Sequence, residues 1–597
     1  MNTSKEPHLD PAESLSPLID SLLDEQQRLT AVTQFAQWHD GQTSPLLEPS
    51  YRHLIPLNSP RPGEQYAFEV DLDRCSGCKG CVTACHALNG LDEDESWREV
   101  GLLLGEAWMA SAQSSVPSPQ GSVPSAQSSV LGAQAPVLSA QSAVGAWDSM
   151  ADRRLVPFQQ TVTTACHHCL EPACLSGCPV LAYDKDPSSG IVRHLDDQCI
   201  GCSYCLMMCP YEVPKYSPQR GIVRKCDLCH GRLAAQEAPA CVQACPNEAI
   251  RITLVETGSL RSSYQAAAQD AAGCLEEENS AGRTFEPEWL PDSPDPGVTL
   301  PTTRYVSRKR QESQLLAADH GQPRLAPRHW PLVLMLVLTQ SGAGGLLAAL
   351  HLGQLEMATG AYAVWCAGLG ASVLHLGQPL KAWRIWLGWR RSWLSREAIA
   401  LGGFSATAAA TLALFWSGAV EFKPDDWQSG SAGLIWLLTA LGLVVMGAQT
   451  MVYADTRRAF WRATTTCPRF LGTMLLAGCG SAFCIWSKPA PAAALATIAF
   501  LKLAVELSVL KHGDTDAMRW TALRRTAALQ TGALRGLLTA RLLLLLIGAF
   551  FMPFAIVAGT LAAHWAGAAL LVCLLGETAE RVLFFASVAP DKMPGLP

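Results

Sequence analysis

From Trp330 onward the chain is built of long apolar runs, at about 331–352, 358–376, 397–419, 432–452, 468–487, 490–510, 538–560 and 563–587. Each approaches the roughly 20 residues a helix needs to cross a hydrocarbon core, where backbone polar groups must be satisfied within the protein. A water-soluble core cannot absorb eight such runs, so residues 329–597 read as an all-α, eight-helix transmembrane bundle. Only Ser487, Lys488 and Pro489 separate the fifth and sixth runs, which implies a tight hairpin. Charge divides at the same place. Before His329 stand 25 Lys and Arg against 40 Asp and Glu, and from His329 on, 20 against 12. The acidic first part argues against a nucleic-acid binder.

The loop charges orient the bundle. On the side of the N-terminal part lie Lys381, Arg384, Arg390, Arg391 and Arg396, then Arg457, Arg458, Arg462 and Arg469, then Lys511, Arg519, Arg524, Arg525 and Arg535. The other side carries essentially Lys423 and Lys488. Positive loops mark the cytoplasm, so the N-terminal domain and both termini are expected there.

Sixteen of the 22 cysteines precede residue 250, in four groups. They are Cys75-x2-Cys78-x2-Cys81-x3-Cys85, Cys166-x2-Cys169-x4-Cys174-x3-Cys178, Cys199-x2-Cys202-x2-Cys205-x3-Cys209 and Cys226-x2-Cys229-x11-Cys241-x3-Cys245, the last three each followed by Pro. Residues 1–30 show neither an apolar stretch before a cleavage site nor a twin arginine. Clustered cysteines without an export signal read as metal ligands in a reducing compartment, not as a disulfide framework. Zinc is the ordinary reading of two CxxC pairs. Four groups in the C-x2-C-x2-C-x3-C-P order of bacterial ferredoxins point instead to four [4Fe–4S] clusters, three thiolates coming from one loop and the fourth crossing to a neighbouring cluster. Cross-ligation needs the groups in twos. Groups two and three are adjacent and form one module, which leaves groups one and four to form the other around it. The fold expected is an α+β ferredoxin-like domain of two pseudo-symmetric 2[4Fe–4S] modules, followed by the eight-helix bundle.

The runs DRCSGCKGCVTACHALNG, GCPVLAYDKDPSSGIVRHLDDQCIGCSYCLMMCPYEVPKY and IVRKCDLCHGRLAAQEAPACVQACP resemble the iron–sulfur subunit of the dimethyl sulfoxide reductase family of molybdoenzymes across residues 66–255. HWPLVLMLVLTQ at 329–340, HLGQPLKAWRIWLGWRRSWLSREAI at 375–399 and MVYADTRRAFWRATT at 451–465 resemble the same family's membrane anchor, ordinarily a separate chain. The resemblance implies clusters held by Cys75, Cys78, Cys81 and Cys245; by Cys226, Cys229, Cys241 and Cys85; by Cys166, Cys169, Cys174 and Cys209; and by Cys199, Cys202, Cys205 and Cys178. It implies a subunit of the bacterial inner membrane that is not itself the catalyst. Electrons would pass from menaquinol or ubiquinol to a separate molybdopterin subunit reducing a sulfoxide-type acceptor. The same wiring run backwards would serve a quinone-reducing dehydrogenase, and an ion-translocating complex is the rival from another class.

In that family the quinol site places a histidine and a glutamate in the loop after the second span. Here these are His375, read as the one histidine of the membrane half where a span meets the cluster-side interface, and Glu397. An imidazole can accept a quinol proton and a carboxylate can hold the cation. Trp383, Trp386, Trp389 and Trp393 read as an interfacial belt. Lys502 and Glu506, four apart inside the sixth run, either neutralise each other or serve a proton path. Haem is not expected, since His351 and His564 form the one pair at matching depth and His375 has no mate. His167 and His168 are expected as outer-sphere or surface residues. Cys274, Cys366, Cys467, Cys479, Cys484 and Cys573 are expected to pack.

Four segments complete the organisation. Residues 1–65 comprise an amphipathic helix at 12–38, capped by Ser16 and Pro17, and a Pro-rich linker. The helix packs on its own domain or docks a partner. Residues 66–255 are the cluster domain, interrupted at 111–146 by a 14-residue repeat, SAQSSVPSPQGSVP then SAQSSVLGAQAPVL, that reads as a low-complexity loop without chemistry. Residues 256–328 read as an extended linker, and 329–597 as the anchor.

Overall fold

A computed structural model describes residues 48–110, 153–273, 289–290, 293–307, 315–422, 430–513 and 520–595, with Ser21 and Asp24. The expected 12–38 helix (those two residues apart), the repeat at 111–146 and Cys274 lie outside the described residues.

Strand β1 (Glu64–Asp71) enters the first cysteine group, and β8 (Ile250–Glu256) leaves the fourth. The two pair antiparallel from Glu64↔Glu256 to Val70↔Ile250. One sheet thereby ties groups one and four to the same end of the domain. Between them come the long hairpin of β2 (Glu99–Ala110) and β3 (Arg153–Thr164), then the short hairpins β4 (Tyr183–Lys185) with β5 (Val192–His194) and β6 (Lys215–Ser217) with β7 (Ile222–Arg224). The short hairpins bracket group three.

Residues 256–328 are not extended linker throughout. Thr257–Gly273 is helical, β9 (Arg304–Val306) adds to β1 in parallel, and β10 (Leu316–Ala317) adds to β2. Leu290, Leu300, Tyr305 and Leu315 are buried there, and that apolar content gives the segment a reason to pack that its proline and acidic residues concealed.

The anchor helices are α1 (Trp330–His351), α2 (Leu355–Val373), α3 (Trp393–Trp416), α4 (Gly430–Ala454), α5 (Ala463–Trp486), α6 (Pro489–Leu507), α7 (Arg535–Val557, with a π turn at Ile547–Phe551) and α8 (Ala566–Ala586). A short amphipathic helix, Ala522–Thr531, lies between α6 and α7. Six of the eight, α1 and α3 to α7, are long and apolar enough to cross a membrane. The other two fall short for reasons visible in their residues. Helix α2 is diluted by Glu356, Thr359 and three glycines, and α8 carries Glu577, Glu580 and Arg581. The hairpin between α5 and α6 turns at Ser487, which adopts a left-handed conformation (φ 48°) before Lys488 and Pro489. Helix α1 is the bundle's axis. A side chain on Gly344 would strike the Met474 carbonyl of α5, and one on Gly342 would lie 2.6 Å from the backbone of Trp365 in α2. Close approach through small residues is how helices gain packing energy without a hydrophobic driving force.

Candidate functional site

All four cysteine groups share one backbone device. The residue before the second cysteine is left-handed in each: Gly77 (φ 73°), His168 (φ 42°), Gly201 (φ 68°) and Leu228 (φ 58°). Lys79 and Ser203 repeat the conformation just after the second cysteine of groups one and three. The chain thus curls around a point and turns successive thiols inward. For His168 and Leu228 this conformation costs about 1–3 kcal/mol, a strain retained only where the surroundings over-determine it.

The curled loops gather the thiols into sets from different groups. Cys75, Cys78, Cys81 and Cys245 surround one cavity, Cys85, Cys226, Cys229 and Cys241 a second, and Cys166, Cys169, Cys174 and Cys209 a third. Cys178, Cys199, Cys202 and Cys205 lie within electrostatic reach of one another in a fourth. Among the described residues, no three His, Cys, Asp or Glu side chains converge on a point as single-ion ligands would. Zinc requires such a point, with each sulfur about 2.3 Å from it. Thiols ringing a void suit a cubane, in which each iron takes one thiolate. Burial pushes the Cys85 thiol up to about 12 and Cys178, Cys209 and Cys229 to about 11, so the thiolate form needs a cationic partner. Backbone N–H groups of Ala182, Gly201 and Ala249 donate to Cys178, Cys199 and Cys245 sulfurs at 3.2–3.4 Å.

Two cations missed in the sequence stand between the sets. Lys225, 2% exposed, donates to Cys226 O at 2.7 Å and to the Val192 carbonyl, and its Nζ lies 3.7 Å from Cys166 Sγ. Arg98, also 2% exposed, packs over Phe68 and feels Cys241, Cys81, Cys226 and Cys85, with Nη2 lacking a hydrogen-bond partner. A buried cation is costly unless negative charge compensates it. Clusters bound by four thiolates would supply that charge, so the residues present fit the group. The two cations also order the sets: Arg98 lies between the first and second, Lys225 between the second and third.

The fourth set lies against the membrane half. Gln378 N donates to Ile200 O (3.0 Å), Gly388 N to Pro179 O (2.7 Å) and Ser392 Oγ to Gly177 O (2.7 Å), while Lys381 and Arg384 both reach Asp197 O. Backbones meet so closely that a side chain on Gly377 would collide with the Gly221 carbonyl. His375 Nε2 donates to Cys202 O at 3.0 Å. Glu397 is 3% exposed and its Oε1 has no hydrogen-bond partner, so that oxygen makes no bond to His375. Trp383, Trp386 and Trp389 are exposed, with Arg384 over Trp383 and Arg390 over Trp389.

His375 is not the one histidine at this interface. His329, at the head of α1, has its ring 5.8 Å from that of His375. The clue was its place before Trp330-Pro331, where a span must begin. Lys502 and Glu506 do pair, at 2.6 Å, within a larger buried cluster. Lys502 also reaches Glu577 (2.9 Å) and Glu580 (3.8 Å), Arg541 reaches Glu506 (3.0 Å) and Glu577 (2.8 Å), and Arg581 pairs with Glu580 and Gln340. His351 turns to Thr439 and Trp436, and His564 packs on Trp565. His167 and His168 are not surface residues. His167 sits among Tyr211, Trp289 and Tyr305, and His168 Nδ1 accepts from Val192 N. Of the remaining cysteines Cys573 is fully buried, Cys479 and Cys484 are half-buried, and Cys366 and Cys467 are exposed.

A string of thiol sets running to a loop that docks on apolar helices defines an electron-transfer and anchoring subunit of the membrane, carrying iron–sulfur clusters. Residues 158–254 match the 4Fe-4S dicluster domain family and 326–586 the DMSO reductase anchor subunit (DmsC) family. The B subunit of anaerobic dimethyl sulfoxide reductase from Haemophilus influenzae is 31% identical over 34% of this chain and 78% of its own length, and that of Escherichia coli 32% over 31% and 72%. The thiosulfate reductase electron transfer subunit PhsB of Salmonella typhi is similar, 30% over 33% and 80%. The protein belongs to the family of dimethyl sulfoxide reductase B subunits, joined here in one polypeptide to an anchor of the DmsC family.

Proposed function

We propose that this protein takes electrons from membrane quinol and passes them through four [4Fe–4S] clusters to a separate molybdopterin subunit that reduces a sulfoxide-type acceptor. The observation that carries this reading is the contact of His375 with Cys202 O, which joins the membrane loop to one end of the thiol string. The sixteen cysteines named above are the proposed ligands, in the four sets described. Bound clusters supply one-electron transfer over a chain of short steps. The protein's own part is to hold each thiol on its curled loop, to exclude water, and to place Arg98 and Lys225 between sets. His375 and Glu397 belong to the quinol-oxidising site, the histidine held by Cys202 O and the carboxylate at the head of α3.

All eight helices are proposed to cross the bacterial inner membrane, with α8 turning its charges inward, and the cluster domain to face the cytoplasm, the side of the basic loops. An ion-translocating role draws less support. Beside the Lys502 cluster, Leu476, Leu495, Ala499, Leu545, Ala549 and Cys573 form a buried apolar layer.

Two measurements test the proposal. Anaerobically purified protein should hold about sixteen irons and sixteen sulfides. A content near eight would leave half of the sets unfilled and overturn the count. His375→Ala should leave the clusters reducible by dithionite yet slow their reduction by menadiol by about a hundredfold or more, the range in which one proton-transfer group contributes. Glu397→Gln should do the same more mildly. Unmodified rates in both variants would place quinol oxidation elsewhere.

A further inference from the structure

A large cavity lies away from the loop that carries His375. It lies at the junction of the two halves and measures about 710 Å³. The cluster domain contributes Leu206 and Met207, from the helix that carries Cys205, and the anchor contributes His329, Arg458, Trp461 and Phe585. His375 is absent from its wall; His329 stands between the two. The His329 ring meets His375 edge to face on one side and Phe585 at 5.7 Å on the other. The backbone of His329 is left-handed (φ 47°), uncommon for a non-glycine residue and a strain kept where structure over-determines it. Its carbonyl accepts from Leu332 N and Val333 N, which pins it to the first turn of α1.

The walls specify a ligand. Leu206 presents partly exposed apolar surface to a flat ring, and Met207, Trp461 and Phe585, almost fully buried, back the wall. Arg458 is fixed by donating to Met207 O (3.3 Å) and Leu206 O (3.4 Å), with its guanidinium over Trp461, so a cation stands beside the ring space. The cavity meets the membrane half at the heads of α1 and α5 and the tail of α8, the level at which a lipid-soluble molecule presents its polar end. One wall belongs to the thiol set nearest the membrane.

We propose that this junction cavity seats the quinol headgroup and that His329 is the residue that takes its proton. The proposal rests on the quinol reading above and extends it to a second histidine. Oxidation of the ring releases two protons and two electrons. One O–H proton passes to His329 and the other to water at the outer rim, where Glu212 and Lys215 line the cavity. A cluster held by Cys178, Cys199, Cys202 and Cys205 would take the two electrons one at a time, the first having passed on to the next thiol set before the second arrives. His375 is then a positioning residue, held by Cys202 O and bearing on the edge of the His329 ring.

The full-length protein with its catalytic partner, in detergent, tests this by stopped-flow reduction with menadiol against dithionite. His329→Gln keeps a polar side chain but accepts no proton, and should lower the maximal menadiol rate at least tenfold with little change in KM. Ala326→Trp, which fills the cavity from the segment leading into α1, should raise KM several-fold and leave the maximal rate nearer normal. Both should keep full iron content and full dithionite reduction. Unmodified menadiol kinetics in both variants, with His375→Ala still slow, would overturn the cavity assignment while the quinol reading stands. Unmodified kinetics in all three would overturn both. If His329→Gln loses iron, the KM of Ala326→Trp decides the cavity by itself.

Discussion

Lys502→Met will destabilise the membrane half by about 3–5 kcal/mol, the cost of breaking a buried ion pair by removing one partner. Lys502 is the hub of the cluster, reaching Glu506, Glu577 and Glu580 from a side chain that is 1% exposed. Lys502, Arg541 and Arg581 pair directly with three carboxylates, and a fourth buried cation, Arg469, stands close to Glu580 and Glu506. Removing the lysine leaves Glu506 and Glu577 to share the single guanidinium of Arg541 in a buried site, with Glu580 held by Arg581. The double variant Lys502→Met with Glu506→Gln removes one charge of each sign and should lose much less than the sum of the two single changes, a coupling that a double-mutant cycle reads directly. Thermal unfolding in detergent, followed by helical signal while cluster absorbance reports on the other domain, is the measurement. A Lys502→Met protein as stable as the unmodified one would mean that water reaches the cluster. The same reasoning makes the cluster a lock between helices: it clamps α6, α7 and α8, and through Arg581 and Gln340 it reaches α1.

Lys225→Met should lower the midpoint potentials of the second and third clusters by about 100 mV, since unit charges about 6 Å apart interact by ~3 kcal/mol at an effective dielectric of ~20. Reduction adds negative charge, so a fixed cation favours the reduced state and its loss makes reduction harder. Lys225 is suited to this because it touches both sets: its Nζ is 3.7 Å from Cys166 Sγ and donates to the carbonyl of Cys226. Arg98 stands in the same relation to the first and second sets. Redox titration followed by EPR would resolve the centres. Unchanged midpoints in Lys225→Met would show that the lysine's charge is already cancelled locally. Methionine nearly matches the lysine stem, so the comparison isolates charge from packing.

Some of this protein is written locally. The C-x2-C-x2-C-x3-C spacing and the glycines at 77 and 201 encode the curled loops, since the relevant interactions lie within ten residues of one another. The eight apolar runs coincide with the helices α1 to α8, and for a helix in lipid, which satisfies its own backbone, length and hydropathy are sufficient. Six of them carry that signature in full. Helix α8 does not because Glu577, Glu580 and Arg581 belong to the bundle's interior, a fact that hydropathy cannot register.

What the sequence concealed is made of distant residues. Arg98 precedes its nearest thiols in the fourth group by more than a hundred positions, and as a sequence feature it is an ordinary arginine in a charged stretch. His329 precedes α1 and His375 follows α2, and their pairing depends on how α1 and α2 pack through Gly342 and Trp365. Lys502 finds its partners on α8, some seventy residues on. Residues 289–307 looked like linker because proline and acid dominate them, yet β9 hydrogen-bonds to β1 once the latter is in place. The sequence by itself determined the ligand loops, the helices and the two-part organisation, because spacing and transfer free energy act over short stretches. Only the tertiary structure decided which cations stand between the thiol sets, which histidine faces the junction cavity and which charges meet inside the bundle. Burial is a property of the packed molecule, and it is burial that turns an ordinary charge into one that must have a partner.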